Sequence, residues 1–151
     1  TADSVAAFAA SDLLCYRAEE PQGLVDRQTA LWDPVMGRVE REEGLAFVRA
    51  RGIIHQAQPS ETPARVKALA LDLDDFRLAA LAYGAALFGS AILGLAVARG
   101  WLGTDEAFEI SRLDEAWQED RWGVDEEAAE RTARLRLEAA TLQRWLRAFD
   151  S

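Results

Sequence analysis

The sequence predicts an all-α fold, a helical domain packed around one central buried helix. Three observations predict it. Residues 78–98 run for twenty-one positions without a charge, bracketed by Arg77 and Arg99. Elsewhere apolar residues recur at alternating spacings of three and four, which is the period of one helical face. Capping residues stand where those stripes begin, and glycines stand where they stop. Half of the 151 residues are hydrophobic and 28% are charged, an ordinary globular balance. A chain of this size buries roughly 68–70% of the surface it exposes when unfolded, so one domain covering residues 1–151 is expected.

The elements follow in order. After Ser4, Val5, Phe8 and a run of alanines suit a helix leading into Ser11-Asp12-Leu13-Leu14-Cys15-Tyr16. Pro21 stands where a helix start tolerates proline. Leu24, Gln28, Leu31, Val35 and Val39 then mark a mostly apolar face from about 21 to 43, which Pro34 is expected to kink or break before Gly44 stops it. Residues 45–58, with Phe47, Val48, Ile53 and Ile54 around Gly52, fit a short extended pair or a loop. Ser60 is the expected cap of a short helix reaching Leu71, and Asp74 or Asp75 caps the next.

By length alone the charge-free run of residues 78–98 meets the criterion for a membrane span. Three features favour a buried helix instead: it is rich in Ala and Gly more than in Leu and Ile, amphipathic helices around it need something to cover, and no second span exists. Ala86, Ser90 and Gly94, four apart, would let a neighbouring helix approach closely. Thr104 is the expected cap of a helix running to Trp122 and stopping at Gly123. Asp125 caps the last helix, whose stripe is Ala128, Thr132, Leu135, Ala139, Leu142, Leu146 and Phe149.

Charge and composition exclude several functions. The net charge is −9, with 26 acids against 17 bases, which is the wrong balance for neutralising phosphates, so nucleic acid is not an expected partner. Residues 104–130 alone carry net −9, and residues 131–151 carry +3. The single Cys15 forbids an internal disulfide and points to a reducing compartment. Cys15 and His55, each alone of its kind, supply neither a nucleophile with a base nor a zinc ligand set. Asp72, Asp74 and Asp75 lack the glycine and distal glutamate of a calcium loop. Phosphate-loop, nucleophile-elbow and dinucleotide signatures are absent too. The expectation is a protein that is not an enzyme and takes no metal or cofactor. Its start at Thr1 reads as processed or trimmed.

Residues 111–123 carry a different signal. On a helix Ile110, Leu113 and Trp117 share one face, and Ser111, Glu115, Gln118 and Trp122 share the adjacent one. Asp114 and Glu115 point about 100° apart around such a helix, which disfavours a catalytic carboxylate pair. An acidic amphipathic helix with a solvated face is the plain interpretation. The functional one is an interface, because tryptophan is enriched at binding hot spots and charge steers encounter.

Ser11 through Ala18, the Trp32-Asp33-Pro34 triplet, Gly89-Ser90 with the apolar run ending Leu95-Ala96, and Ser111 through Gly123 together resemble one family. It is the family of ATP synthase assembly chaperones acting on the alpha subunit of the catalytic head. The matches span nearly the whole chain in the family's order. The resemblance implies a β-rich N-terminal region followed by an all-helical C-terminal domain, and this chain looks like the second part alone. The arginine-dominated basic content and the alanine richness suggest a bacterial protein, for which the cytoplasm is the expected site, or the mitochondrial matrix if eukaryotic. The resemblance further implies a protein that binds the unassembled alpha subunit and keeps it from aggregating until the beta subunit joins; a monomer is expected. Expected partner-binding residues are Glu115, Asp114, Gln118, Ser111, Trp122 and Trp117. Phe88 stands where the family would place a small polar residue. The alternatives are a membrane-associated protein spanning with residues 78–98 and a permanent structural subunit of a complex.

Overall fold

In the computed structural model, which describes residues 1–150, eight α-helices and two two-residue strands follow in the order α1 (Ala2–Ala10), β1 (Tyr16–Arg17), α2 (Gln22–Glu43), β2 (Ala50–Arg51), α3 (Glu61–Leu71), α4 (Asp75–Phe88), α5 (Ala91–Ala98), α6 (Thr104–Ser111), α7 (Leu113–Trp122) and α8 (Glu126–Asp150). A 3-10 turn, Leu13–Cys15, links α1 to β1. The all-helical class read from the stripes is the observed one. At the centre lies α5, with Ala91 through Val97 buried without exception.

The central segment is not the single helix expected over residues 78–98. Gly89 takes the left-handed conformation (φ 66°) and ends α4, and Ser90 turns extended and caps α5 through a hydrogen bond from Leu93 N (3.0 Å). The chain folds back there as a helical hairpin. Gly94 makes the hairpin tight: a Cβ on it would stand 3.1 Å from the backbone N of Ala85. One residue earlier on the partner helix, a Cβ on Gly84 would lie 3.7 Å from Gly94 Cα. Only α5 is buried all round, since Tyr83 and Ala86 of α4 face solvent. Among the described residues no helix is long and apolar enough to cross a membrane.

The hairpin turn is clamped from outside by Asp12. One carboxylate oxygen accepts from Ser90 Oγ (2.6 Å) and Leu14 N (3.1 Å), the other from Ile92 N (2.9 Å), and Leu13 N donates to Gly89 O (3.1 Å). Asp12 therefore satisfies amides at two helix starts at once.

Of the kink or break expected at Pro34, the break does not occur, because α2 passes through Pro34 as one helix. Proline deprives the carbonyl of Ala30 of its helical donor, but Ala30 is exposed and water can replace it. The buried stripe is Leu24, Gln28, Trp32, Met36, Val39 and Glu43. Leu31 is exposed and Val35 only half-buried, so the face is rotated toward the bulkier Trp32 and Met36. Trp32 Nε1 donates to Ile110 O (3.0 Å), tying α2 to α6. Buried Arg17 packs over the Trp32 ring at 5.4 Å and pairs with Asp33 (2.8 Å).

The extended pair is not internal to residues 45–58. Ala50–Arg51 pairs in parallel with Tyr16–Arg17, residues far away in sequence. The loop itself is pinned by side chains, with Gln58 bonded to both Val48 N (2.7 Å) and Val48 O (2.8 Å).

The predicted helix from 104 to 122 is divided at Arg112 (φ −97°, ψ 9°) into α6 and α7. Thr104 does not cap it. Gly103 holds that position, and Thr104 is buried with its hydroxyl donating to Ala139 O (3.0 Å). Ser60 precedes α3 without a side-chain cap bond. Asp74 and Asp125 cap as expected, accepting from Arg77 N (2.9 Å) and Ala128 N (2.7 Å). Gly44 (φ 68°) and Gly123 (φ 80°) end their helices.

Candidate functional site

Helices α7 and α8 diverge from the Gly123 turn, and the space between them continues over α1 and the C-terminal end of α4. The result is an open groove of about 1150 Å³. Its apolar lining includes Phe8, Leu13, Leu87, Phe88 and Leu135. One wall is α7, contributing Asp114, Glu115, Gln118 and Glu119; opposite stand Ala128, Arg131 and Thr132 of α8. The N-terminal half of α8 is solvated on its outer side, because its first buried residue is Ala139.

Four of the six residues expected to bind a partner, Ser111, Asp114, Glu115 and Gln118, line this groove. They differ in freedom. Ser111 Oγ donates to Phe108 O (2.6 Å). Asp114 is half-buried and accepts from Gln28 Nε2 (2.8 Å), while Gln28 Oε1 accepts from Ala18 N (2.8 Å). Glu115 and Gln118 are exposed. Glu119 pairs with Arg112 (2.8 Å), whose guanidinium also reaches Thr132 Oγ1 (3.2 Å) and so ties α7 to α8 beneath the opening.

The two tryptophans lie elsewhere. Trp117 is half-buried against α2, where it leaves room only for the missing side chain of Gly23, and Arg121 stacks on it at 5.0 Å. Trp122 sits at the end of α7 with 81% of its surface exposed, beside exposed Val124. Sequence spacing had joined Trp122 to the acidic face, but the structure puts it outside the groove.

Arg131, Arg112 and Gln28 were not singled out from sequence as site residues. The legible signal was Gln28, a polar residue on an apolar stripe, which needs a buried partner. Phe88 fills the base of the groove and the core together, 2% exposed.

The chemistry on offer is recognition. Burial pushes the Cys15 thiol up to about 12, so it carries no thiolate at neutral pH. His55 is engaged with the Tyr16 hydroxyl at 3.1 Å. Among the described residues no group of three His, Cys, Asp or Glu side chains could hold a metal. What remains is an apolar trough with a carboxylate lip.

Comparison with known proteins agrees with that character. The family model described as ATP12 chaperone protein matches residues 1–40. Protein atp12, mitochondrial, from Schizosaccharomyces pombe is 29% identical over 123 residues, 78% of this chain and 42% of its own length. The crystal structure of Atp12 from Paracoccus denitrificans superposes with a TM-score of 0.89 at 36% identity, covering 96% of this chain and 64% of that one. The Atu1473 protein of Agrobacterium tumefaciens gives 0.85 at 40% identity, covering 96% and 54%. The chain thus spans less than two thirds of the length of each. In architecture over nearly all of its length, and in sequence pattern over residues 1–40, the chain is similar to the ATP12 chaperone family.

Proposed function

We propose that this chain takes part in assembling the catalytic head of an F-type ATP synthase, holding the unassembled alpha subunit in the α7–α8 groove until the beta subunit replaces it. The observation that carries the reading is the groove itself. An obligate subunit met before its partner exposes a large apolar interface, and such surface aggregates unless covered. Apolar side chains from α1, α2, α4, α6 and α8 line a trough suited to covering part of it. The exposed carboxylate of Glu115 at its lip, within a segment of net −9, favours a client surface with basic groups. Gln118 and Ser111 flank it and Asp114 holds the wall in place through Gln28, while Trp117 and Trp122, on the same helix, lie outside the groove. The expected setting is the bacterial cytoplasm, or the mitochondrial matrix in a eukaryote.

The test is light scattering of purified alpha subunit on dilution from denaturant, with and without the chain. The parent is expected to suppress aggregation. Glu115→Gln should suppress it less while its melting temperature stays within about 1 °C, because an exposed charge contributes roughly 0–1 kcal/mol to stability. Suppression by the Glu115→Gln, Gln118→Ala double variant equal to the parent's would overturn the groove as the binding surface. No suppression by the parent would overturn the client.

A further inference from the structure

A second cavity, of about 240 Å³, lies between the C-terminal end of α5, the turn into α6 and the last turns of α8. Its charged lining consists of Arg77, Arg99 and Arg147, and no described Asp or Glu lines it. That is anomalous in a chain with 26 acids against 17 bases. Cations drawn from α4, α8 and the cap of α5 into one space repel one another, so their convergence calls for negative charge.

Part of that charge comes from behind the cavity wall. Arg99 reaches Glu43 through Nε (2.6 Å) and Nη2 (3.3 Å), and Arg77 reaches Asp74 through Nη1. Arg147 makes no ion pair with a described residue. A guanidinium carries five N–H donors, so Arg77 and Arg99 keep donors to spare and Arg147 keeps its full set. Gln143 adds its amide: Oε1 accepts from Thr104 N (2.9 Å), which leaves the NH₂ to donate. The remaining lining is largely apolar, with Leu102, Leu146 and Phe149, whose ring lies 6.0 Å from the Arg77 guanidinium. Donor side chains without a carboxylate, set against an apolar surface, match one chemical class.

We propose that this cavity binds an organic oxyanion, a carboxylate or a phosphate ester carried on an apolar body, with Arg147 and Arg77 gripping the oxyanion and Leu146 and Phe149 receiving the body. Guanidinium forks suit both oxyanions because each presents paired oxygens at matching spacing. The site is separate from the groove and does not depend on the identity of its client.

Titration calorimetry of the chain with benzoate, phenyl phosphate and inorganic phosphate, in chloride buffer of matched ionic strength, tests it. At least one of the two organic probes should bind saturably at one site per chain, at least tenfold more tightly than inorganic phosphate, and the tighter of the two identifies the oxyanion. Arg147→Gln should weaken that binding at least tenfold with the melting temperature unchanged. Arg144→Gln, on the same helix but outside the cavity, should leave it intact. Three results would overturn the proposal: heats that do not saturate for either organic probe, equal losses in Arg144→Gln and Arg147→Gln, or inorganic phosphate binding as tightly as phenyl phosphate.

Discussion

Asp12 joins the turn after α1 to the turn between α4 and α5. Burial pushes its carboxyl up to about 6, against hydrogen bonds from Ser90, Ile92 and Leu14 that favour the charged form. A pKa raised on folding means that the native state holds the proton more tightly than the unfolded chain. The stabilisation from neutral Asp12 is therefore fully present below its ordinary value of 3.8 and is lost as pH rises through about 6. In Asp12→Asn the amide oxygen can serve only one of the two helix-start N–H groups that the carboxylate serves now. The variant should lose about 1–3 kcal/mol at pH 7, the cost of an orphaned buried donor. Because the variant cannot titrate, its deficit relative to the parent should widen between pH 7 and pH 4, as followed by urea unfolding. A deficit that shrank over that range would refute the assignment. In sequence Asp12 was visible only as part of a motif, since nothing in spacing reveals that a carboxylate near the start of the chain will meet the Gly89–Ser90 turn.

Among the elements, the α4–α5 hairpin gives the sharpest contrast between two glycines. A Cβ at Gly94 would press on the backbone of Ala85 at 3.1 and 3.3 Å, atoms that cannot step aside without moving a helix. At Gly84 a Cβ would make an ordinary contact at 3.5 Å with a terminal methyl of Leu142. Gly94→Ala should therefore destabilise by about 1–3 kcal/mol through overpacking, and Gly94→Leu by more. Gly84→Ala should be near neutral or stabilising, since alanine is the better helix former. Thermal unfolding of the three variants checks the order, and equal melting temperatures would discredit the tight hairpin. The same hairpin marks the limit of sequence periodicity. Stripes on α2 and α8 could be read because one side of each helix is wet. Within residues 78–98 neither side announces itself by charge, so a helix reversal at two small residues left no trace in the pattern. The Arg112 break was hidden for a related reason: without glycine or proline there, Ile110 and Leu113 continue the apolar face across it. The acidic wall of the groove was legible from its charges, and the opposite wall on α8 was not, because adjacency of α7 and α8 across the groove is a property of packing.

At the scale of the molecule, the net −9 of residues 104–130 falls on α6, α7 and the start of α8. Salt should weaken association with a basic client and slow its on-rate more than it speeds its off-rate, because screening acts mainly on encounter. Stopped-flow mixing with the alpha subunit between 50 and 500 mM salt, a range spanning Debye lengths of roughly 14 to 4 Å, would show it. An on-rate indifferent to salt would remove charge from the recognition.

Helix α8 is held like a cantilever. Ala139 and Leu142 are clamped in the body, while residues 126–134 reach out along the groove with only Ala128 and Thr132 half-covered. A stretch of that length, held by little besides the Arg112–Thr132 hydrogen bond, is marginal as a helix in water. Amide exchange should therefore be graded within one continuous helix, with residues 129–134 opening by local fraying and residues 139–146 only with the body. Uniform protection along α8 would contradict this. A client lying in the groove would supply the missing side of the beam, so its arrival should be recorded as slowed exchange at the unsupported end, far from the clamped one.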